Sequence, residues 1–392
     1  MPSPSVLSPF SVLGETTGNL YEEARAYSKA LVRKWRPLID LEGEGIPHIP
    51  QRYEGAMAML FENQVWATIA ATEDTLKANV TLPVKWTLPI IRRTYPKLLA
   101  MKICSIQPMS RISGGVAQCF YLRFQREVDS SYLSTMKSEW AYNVEKGVPK
   151  MGRLILTSES VEATKDILAA SWSTEVMEDA RGAMNLDVDL EIVNAHSDEI
   201  GRELDSRILN EILTGATAGN VNWSQTMAAG YTTMADWLET LGHRVVEAEA
   251  LIYAQRYEGA HYIVAGTTLY IFLAQMRSFK AKTPGPADAA NLPPDTLGAQ
   301  YVGTWNGLWD IYRSPHITAT MGIVGRYPSS IVDAGYIFMP YIPIMKMPLI
   351  YAEMDATTGD YSNKDAWTRN IRTRNGKFMA IPRLFSTLTV TA

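Results

Sequence analysis

Cysteine is nearly absent: Cys104 and Cys119 are the two in 392 residues, so there is no disulfide framework. Both fit a reducing compartment, each as a small buried hydrophobe. Histidine is also scarce, and none of His48, His196, His243, His261 and His316 stands at the H-E-x-x-H or H-x₃₋₅-H spacing of a metal site. There is no G-x-x-x-x-G-K-[ST] phosphate loop and no G-x-S-x-G nucleophile elbow. Both cysteines fall in predicted strands without a sequence-adjacent base, which argues against a nucleophile. The acid-rich run Glu175, Glu178, Asp179, Asp187, Asp189 and Glu191 is spread by helical spacing along solvated faces. No catalytic, cofactor-binding or metal-ligating residue is therefore expected.

Long hydrophobic runs are missing too. The most membrane-like stretch, Tyr336 to Ala352, holds three prolines and Lys346 and is too short to span a bilayer. It reads as extended, proline-interrupted strands, and no membrane contact is expected. Met1 to Leu13 lacks the basic start and apolar core of a secretory signal. With 37 basic and 41 acidic side chains, the net charge of −4 supplies no basic face of the kind a dedicated nucleic-acid reader carries.

What is present is ordinary globular composition, 46% hydrophobic and 20% charged, in a chain long enough for two or three compact domains. Residues 1–19 are rich in Ser, Pro, Gly and Thr and read as an arm that takes structure only against a partner. Leu20, Ala24, Tyr27, Leu31 and Trp35 recur at helical spacing, and Pro37 is expected to end that helix. A linker from Gly43 to Pro50 leads to a second helix, about Tyr53 to Lys77. Periodicity leaves two readings of this pair equally open: an arm that leaves its subunit, or two helices packed on their own core.

The stretch Ile90 to Phe124 organises the rest. Arg92-Arg93 precede Tyr95-Pro96, and an apolar run from Leu98 to Ile106 stops at Gln107-Pro108-Met109. Ser113-Gly114-Gly115 make a turn, because glycine reaches positive φ. Val116, Gln118, Phe120, Leu122 and Phe124 then alternate with Ala117, Cys119, Tyr121 and Arg123, a period of two and hence a strand. Arg153 to Thr157 reads as its returning strand. The polar stretch between them, 125–150, carries isolated Tyr132, Trp140 and Tyr142 and is too long for an idle loop.

The longest helical signal begins at Asn185, a plausible N-cap, and runs through Leu186, Leu190, Val193, Ile200, Leu204, Ile208 and Ile212. It measures roughly 40 Å at ~1.5 Å per residue. Asp198, Glu199, Arg202, Glu203, Asp205 and Arg207 are assigned to or beside its wet face. Gly215 to Gly230 is read as a flexible domain junction. A helix through Leu238, Leu241, Val245, Ala248 and Ile252 follows, closed by Gly259. A buried strand from His261 to Gly266 and a helix capped by Thr267-Thr268 come next. Lys280 to Pro294 is a surface loop, strands flank a turn at Gly307, and closing strands fall in Asp333 to Met345 and Arg369 to Met379.

Two ordered signatures in this chain resemble a known family. The first is RR-x-x-P-x-L-x-A-x-x-I-x-x-x-QPM from Arg92 to Met109, followed by a glycine turn and F-x-L-R at Phe120 to Arg123. The second is W-S-x-E-x-x-x-D from Trp172, continuing to D-E-I-x-x-E-L-D ending at Asp205. Together they resemble the major capsid proteins of tailed bacteriophages with contractile tails (myovirus type), patchily over about residues 50–380. The resemblance implies an α+β, HK97-type capsid fold. It divides the chain into an N-terminal arm and helices (1–85), the start of a peripheral domain (86–124) and an extended loop (125–153). The peripheral domain with its spine helix (154–215), an axial domain (216–329) and return strands of the peripheral domain (330–392) complete it.

It also implies hexameric and pentameric capsomers of identical copies, forming an icosahedral or prolate shell around double-stranded DNA. Scaffolding, portal and decoration or vertex proteins are the expected partners, with weak, non-specific DNA contact. The virion is the expected location, after assembly in the host cytoplasm. Candidate intersubunit contacts are Arg92, Arg93, Tyr132, Trp140, Tyr142 and Trp35. Little or no N-terminal cleavage is expected, since no long Lys/Glu-rich leader precedes Leu20. The alternatives are a vertex-specific paralogue, an encapsulin-like shell protein and, more remotely, an α/β enzyme whose motif is unrecognised.

Overall fold

The computed structural model describes residues 17–41, 49–73, 91–92, 94–109, 115–126, 132–133, 152–184, 187–256, 258–282, 298–328, 334–354 and 361–391. They form an α+β body with three sheets. Two helices come first, α1 (Thr17–Ile39) and α2 (Gln51–Glu73). The first does not stop at Pro37 as expected. Proline removes one backbone donor, but the following turn still closes, with the Asp40 N–H donating to the Arg36 carbonyl at 2.9 Å. Tyr27, on the predicted apolar stripe, is exposed, whereas Leu31 and Ile39 are buried. Beyond Glu73 the predicted second helix lies outside the described residues.

The apolar run after Arg92 splits into a short helix, α3 (Ala100–Ile103), and a two-residue strand, β1 (Ser105–Ile106). Cys104 stands at the C-cap of α3, not in a strand, while Cys119 lies in the strand expected of it. That strand, β2 (Val116–Arg126), pairs with β3 (Tyr132–Leu133) and β4 (Gly152–Glu162) as a three-stranded sheet of its own. Its buried face is Cys119 and Tyr121, with Val116 and Gln118 outward, which is the expected alternation. Gly115 holds φ +88, the positive value the turn needs.

The four-stranded sheet has the order β1–β12–β13–β5. Its members are β5 (Thr164–Ser173), β12 (Tyr336–Met354) and β13 (Tyr361–Met379). β5 was not anticipated: Asp166 stands on its inner face and Ile167 and Ala169 on its outer one, which breaks the polar–apolar alternation of a strand. β12 is a single 19-residue strand whose three prolines, Pro340, Pro343 and Pro348, sit at register shifts against β13. A proline cannot donate to a ladder, so the strand slips past each one and continues.

Two helices follow β5: α4 (Thr174–Met184) and the long α5 (Val188–Gly215), 28 residues with Asp187 at its N-cap. Asn185, predicted for that cap, lies outside the described residues. Val193, Ile200, Leu204, Ile208 and Ile212 are buried as the periodicity predicted. They meet Leu98, Leu99, Ile103 and Ile371 in the main core.

The stretch predicted as a flexible junction instead contains an edge strand, β6 (Asn220–Ser224), with Val221 and Trp223 buried. It opens a seven-stranded sheet of order β6–β14–β11–β7–β10–β9–β8. The others are β7 (Tyr262–Ala265), β8 (Phe279–Ala281), β9 (Gln300–Trp305), β10 (Trp309–Arg313), β11 (Met321–Gly325) and β14 (Phe385–Thr391). Lys280 and Ala281 of the predicted surface loop thus belong to β8; residues 283–294 lie outside the described ones. β14 is unexpected in its place. It leaves the return strands and inserts between β6 and β11.

Helices α6 (Met234–Arg256) and α7 (Thr267–Gln275) cover one face of this sheet. Alternation in β7 shows how the layers join: Ile263 and Ala265 pack towards α6, while Tyr262 and Val264 enter the core shared with α5. The N-cap of α7 is Gly266, not the threonines, and the Ala319 carbonyl accepts from the N–H groups of Thr268 (3.0 Å) and Leu269 (3.1 Å). A Cβ on Gly266 would meet the Thr318 carbonyl oxygen at 2.3 Å and that of Ala319 at 2.7 Å. Gly266→Ala is therefore expected to destabilise this layer by about 1–3 kcal/mol. Urea unfolding followed by the fluorescence of the stacked pair Trp305–Trp309 measures it.

Candidate assembly surfaces

Three features decide what the body can grip and what it presents. The first is the β2–β4 ribbon. Eleven successive pairs run from Val116↔Glu162 at the root to Arg126↔Gly152 at the far end, a ladder of roughly 35 Å at ~3.3 Å per residue. Its root is fixed: Cys119, Tyr121, Val161 and Ala163 pack with Met109, Ile337, Met339 and Ala380. Ser158, Glu159 and Ser160 are exposed. The sheet it forms shares no strand with the other two.

The second feature is α5, which is fastened to the sheet along its whole length. At its first turn the Asp189 carboxylate receives a bidentate contact from Arg369 of β13, Nε to Oδ1 and Nη2 to Oδ2, both 2.7 Å. Lys346 of β12 adds a third donor at 2.8 Å, and the remaining Arg369 nitrogen, Nη1, donates to the Met347 carbonyl. Burial raises the pKa of Asp189, but Arg369 and Lys346 outweigh it and hold the carboxyl below its ordinary value. Further along, Arg207 pairs with Asp166 of β5, and at the last turn Glu211 accepts from Lys377 and Tyr336.

Between these sits Asp205, assigned from sequence to the wet side of the helix. It is instead 1% exposed. Its carboxylate accepts the backbone N–H groups of Leu99 (2.8 Å) and Ala100 (3.0 Å), donors that the start of α3 leaves open. Position 205 lies one residue after Leu204 and one turn before Leu209, at the margin of the apolar stripe, where periodicity does not discriminate. Burial pushes its pKa up to about 7, against the lowering pull of the two N–H groups and Lys102. Burial, with Asp205 nearby, holds the Cys104 thiol well above its usual pKa and therefore protonated.

The third feature is the helical pair, and the structure selects the second of the two readings for its described part. Met57, Ala58, Leu60 and Phe61 of α2 are fully buried in the main core. Asn63 donates to the carbonyls of Met109 and Tyr341, both at 2.9 Å. α1 is stapled to α2 through Glu62, which accepts from Lys34 (2.7 Å), Trp35 Nε1 (3.0 Å) and Trp66 Nε1 (3.2 Å). Glu62→Ala is expected to cost about 1–3 kcal/mol, because two indole donors lose their acceptor. Limited proteolysis within α1 should accelerate in step.

This placement bears on the proposed contacts. Trp35 packs on Phe61 of its own chain, ring centroids 5.7 Å apart. Arg92 is turned inward, 2% exposed, and reaches the Ile39 and Leu41 carbonyls at 3.3 and 3.4 Å, so it anchors the end of α1 within the subunit. Tyr132 sits in β3, its backbone paired with Gln125. Arg93, Trp140 and Tyr142 lie outside the described residues.

An open cleft of about 760 Å³ runs between α1, α2 and β1, lined by Lys29, Arg33, Tyr53, Glu54, Cys104 and Pro328. Among the described residues no three His, Cys, Asp or Glu side chains converge on a possible metal position, and no helix is long and apolar enough to cross a membrane.

The major capsid protein of Vibrio phage KVP40 is 24% identical over 237 residues, covering 56% of this chain and 44% of that protein. The chain thus matches less than half the length of that relative. The major capsid protein of Enterobacteria phage T6 is 21% identical, over 80% of this chain and 89% of its own. Among solved structures, a chain of Mycobacterium phage Adephagia aligns with TM-score 0.45 at 12% identity, covering 75% of this chain and 89% of that one. The capsid of Myoviridae phage XM1 aligns with TM-score 0.40 at 11% identity, covering 71% and 86%. Residues 128–359, more than half of the sequence, match the family described as major capsid protein Gp23, and the chain belongs to that family.

Proposed function

We propose that many copies of this chain form the head shell of a tailed phage, as hexamers and pentamers enclosing double-stranded DNA, with an HK97-type subunit. The observation that carries this reading is the β2–β4 ribbon, a sheet of its own rooted in the body at one end. A two- to three-stranded ribbon is marginal alone in water, so a neighbouring surface is what makes its ordering worthwhile. In this reading the ribbon is the base of the extended loop, and α5 with the four-stranded sheet is the peripheral domain. The seven-stranded sheet, with β14 added to the 216–329 segment, is the axial domain. Its role is mechanical: a girder of helix on sheet, fastened at both ends by ion pairs, resists the outward load of packed DNA.

Copies meet by heterologous contacts that close into rings. Scaffolding, portal and vertex or decoration proteins would be further partners, and assembly would take place in the host cytoplasm before the chain resides in the virion. No catalysis is assigned to it. A mildly acidic subunit keeps contact with the genome weak and unspecific. The test is expression alone and with a scaffolding partner, followed by negative-stain microscopy. Capsomers or closed shells are expected; small soluble monomers under every assembly condition would refute the reading.

A further inference from the structure

The outer face of the four-stranded sheet, turned away from α5, carries charge that no acid among the described residues answers. Strand parity identifies the face. Asp166 and Arg369 point to α5, so Lys165 and Ile167 of β5 and Arg372 and Arg374 of β13 point the other way. They are cross-strand neighbours, Arg372 opposite Ile167 and Arg374 opposite Lys165. Among the described residues none of the three cations has an acidic partner: Arg374 donates to the Ala163 carbonyl and lies over the Tyr341 ring, and the Arg372 Nε is buried without an acceptor. Burial first, and Arg374 second, lower the pKa of Arg372, so its charge sits at a cost. Ile167, between the cations, is 54% exposed.

At the other end of β5 stands the opposite surface. Glu175, Val176 and Asp179 occupy the outer side of α4, with Glu178 beside them, and all are exposed. Among the described residues these three acids also lack a cationic partner. Val176 is 53% exposed, an apolar side chain flanked by acids as Ile167 is flanked by bases. From Lys165 to Ser173, eight strand steps separate the two surfaces by roughly 26 Å, so they cannot meet within one chain.

We infer that the outer face formed by Lys165, Ile167, Arg372 and Arg374 receives the α4 helix of a second copy of this chain, with Val176 against Ile167 and Glu175, Glu178 and Asp179 answering the cations. The contact is head-to-tail, because the two surfaces lie at opposite ends of one strand, and such contacts build rings or extended nets of subunits. The apolar centre favours a protein over a phosphate backbone, which would leave Ile167 facing charge. The inference rests on the shell reading and specifies one contact within it.

Charge reversal in both directions tests it. Lys165→Glu with Arg372→Glu, or separately Glu175→Lys with Asp179→Lys, is expected to lower the yield of sedimenting particles about tenfold or more, since like charges are brought together. Combining all four should restore assembly in large part, and circular dichroism of each variant should remain that of the wild type. A milder pair, Lys165→Gln with Arg372→Gln, covers the case in which a reversed β13 fails to fold, and should lower the yield in the same direction. Wild-type yields from the singly reversed proteins, or no rescue in the folded combination, would overturn the contact while wild-type particles still uphold the shell reading. Normal particles with a reduced DNA content in the Lys165/Arg372 variants would instead make this face a genome contact and also overturn it. Failure of the wild type to assemble is the separate outcome that removes the reading beneath.

Discussion

Asp189→Ala is expected to destabilise the folded subunit by about 3–5 kcal/mol, because it strands a nearly buried guanidinium whose side chain is 8% exposed. The size follows from what remains: Arg369 keeps its bond to the Met347 carbonyl but loses both charge-assisted bonds to the carboxylate, and Lys346 loses its acceptor. Replacing both partners by apolar residues, Asp189→Leu with Arg369→Met, should cost much less, about 1–2 kcal/mol or nothing, since no charge is left without company. Chemical denaturation of the purified subunit distinguishes the two, and a single variant within 1 kcal/mol of wild type, taking ~1 kcal/mol as the scale of a surface pair, would refute the account. The acid dependence follows the same logic. The folded-state pKa of Asp189 is depressed, so its stabilisation is present above the unfolded carboxylate value near ~3.9 and is lost as pH falls through the lower folded value.

Asp205 should behave in the opposite sense. Its pKa is raised to about 7 in the fold, so the protonated form is the one folding favours. Stability is fully present below the unfolded value near ~3.9 and declines as pH rises through about 7, because the folded state holds a proton the unfolded chain has released. Asp205→Asn removes the titration and keeps one acceptor oxygen, where in the wild type the Leu99 and Ala100 N–H groups use one carboxylate oxygen each. Its stability should therefore be flat across this window while the wild type slopes downward. Asp205→Ala takes away both acceptors and leaves two buried donors open, for an expected loss of roughly 2–4 kcal/mol. Urea midpoints at several pH values decide it: parallel curves for wild type and Asp205→Asn would mean that the carboxyl does not titrate here.

How much of this was legible beforehand depends on whether the deciding contact was local. The long helix, the buried strand at Tyr262 to Ala265 and the alternation around Cys119 all follow from spacing, because one neighbouring layer sets each pattern. β5 and β6 were not legible. The first has an acid, Asp166, on its inner face and Ile167 on its outer one, and the second is a short edge whose only buried side chains are Val221 and Trp223. Asp205 was misplaced because a charged residue is read as wet unless its partners are known, and the Ala100 N–H it accepts lies 105 residues away in the chain. Pro37 does not end α1: it sits in the last turn, and the chain closes one further turn beyond it through the Asp40 N–H and the Arg36 carbonyl. The resemblance carried the family; the wiring of the girder and the outer cationic face came only with the fold.

The insertion of β14 beside β6 has a consequence in time. The Thr387 side chain bonds to Asn220 across 167 residues of sequence, and among the described residues β6 has no other strand beside it. At a synthesis rate of roughly 5–20 residues per second, β6 waits on the order of 10–30 s for its partner to leave the ribosome. Until then the β11 edge that β14 will cover is open as well. A nascent subunit is thus unfinished on this side until β14 has been made and has docked.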